Sequence, residues 1–281
     1  MDARQQLRHS LETKQTIVAP GVFDGLSARL VEQANFKAIY ASGGAIARSS
    51  GFPDLGILSF DEVVIRLNQI VEVTSIPVIA DADTGFGNAL NVRRTFRVFE
   101  RMGIAAAHIE DQNFPKRCGH LDDKSLISQA EMVYKIKAAR DELTDDRFVL
   151  IARTDAIAVE GFDRAIERAN AYAEAGADVI FVEAPETLEQ IQKISQQVTA
   201  PKLINMFYGG KTPLVPLDQL QQMGYLFVII PSDLQRAAIY AMQKTLAAIK
   251  KDGDSKRLAP ELTSFKEREK IIDTDGYLAK S

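Results

Sequence analysis

The sequence contains few residues of three types: its 281 residues include one cysteine, three histidines and no tryptophan. The single thiol, Cys118, excludes an internal disulfide framework and fits a reducing compartment. The chain also lacks an excess of positive charge, with 34 Lys and Arg against 38 Asp and Glu, so neither nucleic acid nor an anionic membrane is an expected partner. No apolar leader and no apolar run of about 18 residues is present. We expect a soluble, cytoplasmic protein that binds small polar metabolites.

Short runs of β-branched residues alternate with longer amphipathic stretches along most of the chain. This alternation predicts parallel strands that are connected by helices. The expected strands are 16–23, 38–44, 77–83, 105–111, 148–155, 179–185, 201–207 and 226–232. Eight such units predict an α/β fold of the (β/α)8 TIM-barrel type. All of 1–281 is expected to form one domain, with a helical tail from about 253 to 281.

Two connections, 45–59 and 112–127, are longer than the short loops that normally follow a strand in such a barrel. Both leave the carboxyl end of a predicted strand, which is the face where barrels of this type carry their active sites. Long loops at that face are typical of binding loops and lids. The sequence therefore predicts two binding loops or lids beside one site.

Polar residues end several predicted strands. Asp81 and Asp83 lie two positions apart, so strand alternation predicts that they point to the same face. The other strand ends carry His108, Glu110, Arg153, Asp155, Glu183 and Asn205. Buried carboxylates repel one another, so the cluster predicts a hard divalent cation, Mg²⁺ first and Mn²⁺ as an alternative, whereas no spacing indicates zinc. For any one of the aspartates alone, a helix N-cap or a solvated charge is the alternative.

The only cysteine lies in the motif KRCGH, residues 116–120, inside the longer predicted lid. Positive charge from Lys116, Arg117 and His120 predicts a lowered pKa for the Cys118 thiol, which could then release a proton and take it back. A buried, incidental cysteine is one alternative. Metal ligation by Cys118 and His120 is another, although further ligands nearby are missing. The triplet SGG at 42–44 predicts a backbone nest for a carboxylate, with an ordinary turn as the alternative.

Five segments together resemble the isocitrate lyase and phosphoenolpyruvate mutase superfamily, from about residue 8 to 250. They are SGGAIARSSGFPDLG, DADTGFGNALNVRRT, HIEDQNFPKRCGH, IARTDAIAVEGFDRAIERANAYAEAGAD and NMFYGGKTP. The motif KRCGH resembles the lyase branch, which includes enzymes that act on 2-methylisocitrate, 2,3-dimethylmalate and oxaloacetate. The resemblance implies a (β/α)8 barrel, a Mg²⁺-dependent reaction and a homotetramer in which neighbouring chains exchange the last barrel helix.

The resemblance also implies roles for individual residues. The metal environment would consist of Asp81, Asp83 and Glu110, directly or through water. The catalytic positions would be Cys118, Asp54, Lys116, His120 and Arg153, with Cys118 as the acid or base on the lid. The substrate-binding positions would be Tyr40, Ser42, Gly43, Gly44, Gly119, Glu183 and Asn205.

Two residues depart from the pattern of that family. Leu121 follows the KRCGH motif where methylisocitrate lyases carry arginine, and Tyr208 stands where relatives often have glutamate. The missing cation would weaken the recognition of a third carboxylate. The resemblance implies cleavage of a 2-hydroxy di- or tricarboxylate to a 2-oxo acid such as pyruvate and a carboxylate such as succinate or propionate. Oxaloacetate hydrolysis or decarboxylation, and non-catalytic carboxylate binding, are the alternatives.

Overall fold

A computed structural model describes residues 1–280 and shows eight parallel strands that close into a barrel in chain order. Strands β1 to β8 are Ile17–Val22, Ile39–Ala41, Val78–Asp81, Ala106–Glu110, Val149–Thr154, Val179–Val182, Lys202–Asn205 and Tyr225–Ile230. Every predicted strand is present, and all eight are shorter than expected. Strand β1 pairs with β8 from Ile17 opposite Phe227 to Pro20 opposite Ile230, which closes the barrel. The predicted (β/α)8 fold is confirmed.

Helices connect the strands and cover the outside of the barrel. Helices α1 to α13 are Ala3–Glu12, Gly25–Gln33, Gly43–Ser49, Phe60–Val71, Ala89–Met102, Gln129–Glu142, Ile157–Glu160, Phe162–Glu174, Leu188–Gln197, Leu217–Gln222, Asp233–Asp252, Phe265–Ile271 and Thr274–Leu278. A 3-10 helix, Lys256–Glu261, precedes α12. Within residues 1–280, none of the helices combines the length and the apolar character needed to cross a bilayer.

The helix starts follow from the sequence. Eight helices begin after a side chain that accepts a hydrogen bond from an N–H of the first turn: Asp2, Asp24, Ser42, Ser59, Asn88, Ser128, Thr187 and Ser264. Such caps satisfy N–H groups that have no partner inside the helix. Helix α5 ends at Gly103, whose φ of 95° is the left-handed conformation expected of a C-cap glycine.

Helix α1 closes the amino end of the barrel and is not indicated by the sequence pattern, because too few of its residues are apolar. Leu7 is fully buried and packs with the side chains that fill the barrel interior. Arg8 donates hydrogen bonds to Asp178 Oδ1 at 2.8 Å and to the carbonyl oxygen of Phe148 at 2.9 Å. Polar anchoring to the barrel therefore stabilises a helix with only a narrow apolar stripe.

The barrel interior is layered along the strands. Its lower part is apolar and contains the inward residues Ile17, Ala19, Ile79, Ala106, Val149, Ile151, Phe181, Leu203, Phe227 and Ile229. The upper part is polar and contains His108, Glu110, Arg153, Glu183 and Asn205, all of which are buried. Because inward positions alternate along a strand, the apolar floor and the polar layer come from the same strands. The polar layer lies at the carboxyl end.

The two predicted lids differ in structure. The prediction of a loop over 45–59 is partly wrong. Residues up to Ser49 belong to helix α3, which begins at Gly43 shortly after β2. The second predicted lid, 112–127, contains no helix. An antiparallel bridge between Gln112 and Leu126 joins its two ends. We call residues 112–127 the lid segment. It lies over the carboxyl end of the barrel.

Candidate active site

A cavity of about 320 Å³ opens at the carboxyl ends of the strands. Twelve of the fifteen predicted site residues line it: Tyr40, Ser42, Gly44, Asp54, Asp81, Lys116, Cys118, Gly119, His120, Arg153, Glu183 and Asn205. Gly43 and Asp83 lie in a narrow cleft beside Asp54 and Asp81. Glu110 is fully buried beneath the cavity, against Arg153. Residues that are distant in sequence therefore meet at one site.

A lysine of the lid segment neutralises part of the acidic cluster, by which we mean Asp54, Asp81, Asp83 and Glu110. Lys116 Nζ lies 2.5 Å from Asp54 Oδ1 and 2.8 Å from Asp83 Oδ1, and its side chain is only 4% exposed. The divalent ion that the sequence predicts is therefore not the only charge that can compensate these acids. An ammonium group from the lid segment already lies between two of the carboxylates, and buried charges are tolerated when they are paired.

Asp81 and Asp83 converge, although not for the predicted reason. Strand β3 ends at Asp81, and Asp83 has a φ of 45°, so strand alternation does not extend to it. The turn instead directs the backbone N–H of Asp83 to Asp81 Oδ1 at 2.9 Å. Burial raises the pKa of Asp81, but the interactions with His108, Lys116 and Arg153 outweigh it and lower that pKa to about 2. Burial raises the pKa of Asp83 to about 6, and the charge of Asp81 adds to this effect.

Arg153 is held between two carboxylates at the end of β5. Its Nε lies 2.9 Å from Asp155 Oδ2 and 3.3 Å from Glu110 Oε2, and its Nη2 donates to Asp155 Oδ1 at 3.0 Å. The guanidinium lies 5.2 Å from the centre of the Phe181 ring. These contacts fix a permanent positive charge in the wall of the cavity.

Asp81 is also oriented from below. The hydroxyl of Tyr40 lies 2.9 Å from His108 Nε2 and 3.3 Å from Asp81 Oδ2. His108 Nε2 lies 3.4 Å from Asp81 Oδ1. Burial raises the pKa of Tyr40 well above its usual value and lowers the pKa of His108. Both rings therefore act as hydrogen-bonding supports for Asp81.

The acidic cluster can hold a divalent ion if water supplies part of the coordination. Among residues 1–280, no three His, Cys, Asp or Glu side chains are already arranged as direct ligands of one ion. Both carboxylate oxygens of Glu110 are nevertheless buried and accept no hydrogen bond. Burial raises the pKa of Glu110 well above its usual value. Mg²⁺ typically binds one or two carboxylates and keeps several waters, so Asp81, Asp83 and Glu110 fit a hydrated ion.

His120 attaches the lid segment to strands β6 and β7. The backbone N–H of Lys211 donates to His120 Nδ1 at 3.0 Å, and His120 Nε2 lies 3.1 Å from Glu183 Oε1. Because Nδ1 accepts a hydrogen bond, the proton of a neutral ring lies on Nε2 and faces Glu183. Asn205 Nδ2 lies 3.4 Å from the same nitrogen. Both ring nitrogens are thus engaged by the protein.

The environment of Cys118 differs from the expectation. Burial raises the pKa of the thiol, and the negative charges of Asp54 and Glu183 add to this effect, so the predicted lowering is wrong. Lys116 and Arg117, the adjacent cations in sequence, do not outweigh this effect because each has another partner: Lys116 contacts Asp54 and Asp83, and Arg117 Nη1 lies 3.5 Å from Asp123 Oδ2. Cys118 is therefore a neutral thiol at pH 7, which suits a proton donor.

Seven residues of the cavity wall are missing from the sequence-based set: Arg48, Phe181, Phe207, Ile229, Pro231, Ser232 and Arg236. Strand alternation could have identified Phe181 and Ile229, because each lies on the inner face of its strand. Arg48 on α3 and Arg236 on α11 have no such signal. The two residues that depart from the family pattern lie outside the cavity wall: Leu121 is 48% exposed, and Tyr208 is 71% exposed.

The sequence pattern of the phosphoenolpyruvate phosphomutase family matches residues 7–250 of the chain. The 2,3-dimethylmalate lyase of Eubacterium barkeri is 42% identical over 268 residues, which cover 95% of this chain and 93% of that protein. The 2-methylisocitrate lyase of Aeropyrum pernix is 45% identical over 271 residues, which cover 96% of this chain and 86% of that protein. Both similarities extend over almost the whole chain.

Solved structures are similar over the same length. A crystal structure of 2,3-dimethylmalate lyase has a TM-score of 0.94 at 36% identity and covers 99% of this chain and 94% of that chain. Oxaloacetate acetylhydrolase in complex with 3,3-difluorooxalacetate has a TM-score of 0.92 at 34% identity, with 98% and 95% covered. Phosphonopyruvate hydrolase in complex with oxalate and Mg²⁺ has a TM-score of 0.91 at 32% identity, with 99% and 98% covered.

The raised pKa of Cys118 predicts slow alkylation at neutral pH. The thiolate is the reactive form, so Cys118 should react with iodoacetamide more slowly at pH 7 than free cysteine does. Its rate should still rise above about pH 8.5, the ordinary cysteine pKa. Mass spectrometry of the intact chain measures the rate, since no second cysteine competes. Unfolding in urea should restore ordinary reactivity, and a rate already at its plateau at pH 7 in the folded protein would contradict the assignment.

Proposed function

This chain belongs to the phosphoenolpyruvate phosphomutase family, and on that premise we propose that it is a divalent-metal-dependent carbon–carbon lyase. Its substrate is a 2-hydroxy di- or tricarboxylate of the 2,3-dimethylmalate or 2-methylisocitrate type. The products are a 2-oxo acid such as pyruvate and a carboxylate such as propionate or succinate. The observation that carries the proposal is the neutral thiol of Cys118, held over a cavity that contains Arg153 and the acidic cluster.

The oxo-acid half of the substrate binds beside the acidic cluster. Helix α3 begins there, with Ser42 as its cap and the N–H groups of Gly43 and Gly44 in its first turn. A Cβ on Gly43 would lie 2.6 Å from Asp81 Oδ2, and one on Gly44 would lie 2.7 Å from Asp54 Oδ2. Only glycine lets these N–H groups approach the acids and a carboxylate of the substrate so closely. Asp81, Asp83 and Glu110 would hold a divalent ion in part through water, and the ion would supply Lewis-acid stabilisation of negative charge.

Cys118 supplies the proton that the reaction requires. Cleavage begins when a carboxylate of the acidic cluster takes the proton of the 2-hydroxyl. That oxygen then forms the C2=O bond of the 2-oxo acid as the C2–C3 bond breaks, and the electron pair of the broken bond remains on C3 as the enolate of a carboxylate, a poor leaving group. Arg153 stabilises the developing negative charge with its fixed guanidinium. The thiol proton of Cys118 then transfers to C3, which is general acid catalysis by a group that is protonated at neutral pH.

The lid segment excludes water from the reacting carbon. Gly119 is buried, and a Cβ at this position would overlap Arg153 Nη2 and Glu183 Oε1. The backbone of the lid segment therefore lies directly on the two charged side chains of the barrel wall. Such close contact leaves no space for solvent beside the C3 carbanion.

The rest of the cavity wall accommodates the part of the substrate that leaves. Phe181, Phe207, Ile229 and Pro231 provide an apolar surface for alkyl substituents. Arg48 and Arg236 lie at the same cavity and offer positive charge to a distal carboxylate. The Arg236 side chain is 50% exposed, so it can reorient toward a ligand. These two arginines compensate for the cation that is missing at Leu121.

The chain works as one domain in the cytoplasm under this proposal. The eight strands close on each other, and helix α12 of the tail contacts α2 of the barrel. A single thiol that donates a proton must stay reduced, which the cytoplasm ensures.

A substrate panel tests the proposed reaction. The protein is incubated with Mg²⁺ and 2-methylisocitrate, isocitrate, 2,3-dimethylmalate, citramalate or oxaloacetate, and the products are identified by mass spectrometry. We expect pyruvate from 2,3-dimethylmalate or 2-methylisocitrate, loss of turnover with EDTA and recovery with excess Mg²⁺. Oxalate plus acetate from oxaloacetate as the main products would instead assign the hydrolase activity. Tight binding without turnover of any acid would contradict both enzymatic assignments.

Substitution of the thiol tests the proton donor. We expect Cys118→Ser to lower kcat by about 10²- to 10⁴-fold, the usual contribution of a general acid, because a serine hydroxyl is a much weaker acid. Binding of Mg²⁺ and of pyruvate, measured by calorimetry, should remain within about threefold of wild type. Ser125→Ala is the matched control, since Ser125 lies in the same lid segment and its hydroxyl only accepts a hydrogen bond from Asn113. Unchanged turnover in Cys118→Ser would remove the thiol from the mechanism.

We also propose a homotetramer in which paired chains exchange helix α11. This 20-residue helix buries only Gln235 and Ala248, and it exposes Leu234, Ile239, Met242, Leu246 and Ile249 at 40% to 64% of their surface. So large an apolar face indicates a protein partner.

Sedimentation velocity measures the assembly directly. We expect a species of four 31.0 kDa chains, because the apolar face of α11 is covered only when chains associate. Met242→Glu should dissociate it, since a buried unpaired charge costs several kcal/mol. Leu90→Glu is the control, because Leu90 is 74% exposed on helix α5, away from α11. A monomer at micromolar concentration would contradict the proposal.

A further inference from the structure

Lys124 is a buried cation of the lid segment to which the proposed chemistry assigns no role. Its side chain is 1% exposed. Its Nζ donates one hydrogen bond to the carbonyl oxygen of Gly119 and another to Asp155 Oδ1 at 3.1 Å. A buried ammonium group destabilises the fold unless it is paired with an anion and hydrogen-bonded. A lysine at this position therefore indicates a structural or functional role.

Asp155 connects this lysine to the arginine of the cavity wall. Its Oδ1 accepts from both Lys124 Nζ and Arg153 Nη2, and its Oδ2 accepts from Arg153 Nε at 2.9 Å. Burial raises the pKa of Asp155, but the charges of Arg153 and Lys124 outweigh it and lower that pKa to about 2. The carboxylate is therefore an anion that bridges one cation of the lid segment and one of the barrel.

Asp155 is itself held rigidly from behind. Its backbone N–H donates to Asp111 Oδ1 at 2.9 Å. The other oxygen of Asp111 accepts hydrogen bonds from Thr154 at 2.7 Å, Tyr172 at 2.8 Å and Arg168 at 3.3 Å. All four partners of this network are buried. The barrel end of the contact with Lys124 is thus held in place by a buried network.

The second contact of Lys124 fixes the residue next to Cys118. The carbonyl of Gly119 is bound to the ammonium, while the Gly119 Cα lies against Arg153 and Glu183. On the other side, the N–H of Cys118 donates to the carbonyl oxygen of Asp54 at 3.2 Å. The backbone on both sides of the thiol is therefore anchored.

Apart from the buried contacts of Lys116 and His120, two further charge pairs of the lid segment lie at the surface and do not replace this anchor. Lys211 Nζ contacts Asp122 Oδ1 at 2.8 Å, but the Asp122 side chain is 85% exposed. Arg117 contacts Asp123, whose side chain is 87% exposed. Exposed pairs of this kind contribute about 0.2 to 1 kcal/mol and often nothing measurable.

We propose that Lys124 is a positioning residue: it fixes the carbonyl of Gly119 to Asp155, which holds the lid segment closed and places the Cys118 thiol opposite Arg153. The positioning of the proton donor rests on the lyase function proposed above, whereas the closure of the lid segment does not. Lys124 does not contact the cavity, so it acts through Gly119 and Asp155.

Lys124→Met tests the proposal, because methionine keeps most of the length and removes the charge. Without substrate, we expect tryptic cleavage after Arg117 in the full chain to become at least about tenfold faster, since an open lid segment exposes that bond. With substrate and Mg²⁺, we expect kcat to fall about 10²-fold, the usual effect of misplacing a catalytic group, while KM changes less than about threefold. Lys124→Arg can keep both contacts, so its kcat should be at least about tenfold higher than that of Lys124→Met.

Lys211→Met is the matched control, since it removes the exposed lysine pair of the lid segment. Its cleavage rate and kcat should stay within about twofold of wild type. The proposal would be overturned if Lys124→Met kept the wild-type cleavage rate and kcat. It would also be overturned if Lys124→Met and Lys211→Met changed the cleavage rate and kcat equally. If Lys124→Met shows no cooperative thermal unfolding, Lys124→Gln, which keeps a donor for Gly119, replaces it under the same criteria. Because proteolysis needs no substrate, failure of the lyase assignment leaves this test of lid closure intact.

Discussion

The pairing of buried charges at the carboxyl end of the barrel is the constraint on which the rest of the structure depends. Carboxylates at these strand ends would cost several kcal/mol each if unpaired. Arg153 compensates Asp155 and Glu110 from within the barrel, whereas Lys116 reaches Asp54 and Asp83 from the lid segment. The lid segment therefore covers the site and neutralises two of its acids through one residue, Lys116.

The polar layer at the strand ends explains why much of the site is predictable from sequence. Parallel strands bring their carboxyl ends to one face, so Glu183 and Asn205 could be assigned to the same site as Asp81 from position alone. The pKa of Cys118 could not be predicted in this way, because sequence neighbours need not be spatial neighbours. Lys116 turns to the acids, and Arg117 turns to Asp123.

The missed residues share a physical reason. Arg48 and Arg236 lie on helices that only approach the cavity after the barrel has closed, so neither strand alternation nor a local motif identifies them. Helix α1 is stabilised by arginines that bind carbonyl groups from distant strands and loops, an interaction with no local periodicity. The same barrel also serves oxaloacetate acetylhydrolase and phosphonopyruvate hydrolase, so the reaction depends on such rim residues and not on the fold.

The raised pKa of Cys118 has a consequence for how long the enzyme survives oxidants. Peroxide attacks the thiolate, so a thiol that keeps its proton is also a poor target for oxidation. The chain has no second cysteine that could trap a sulfenic acid as an internal disulfide. The features that keep the proton available thus also protect the only thiol of the chain.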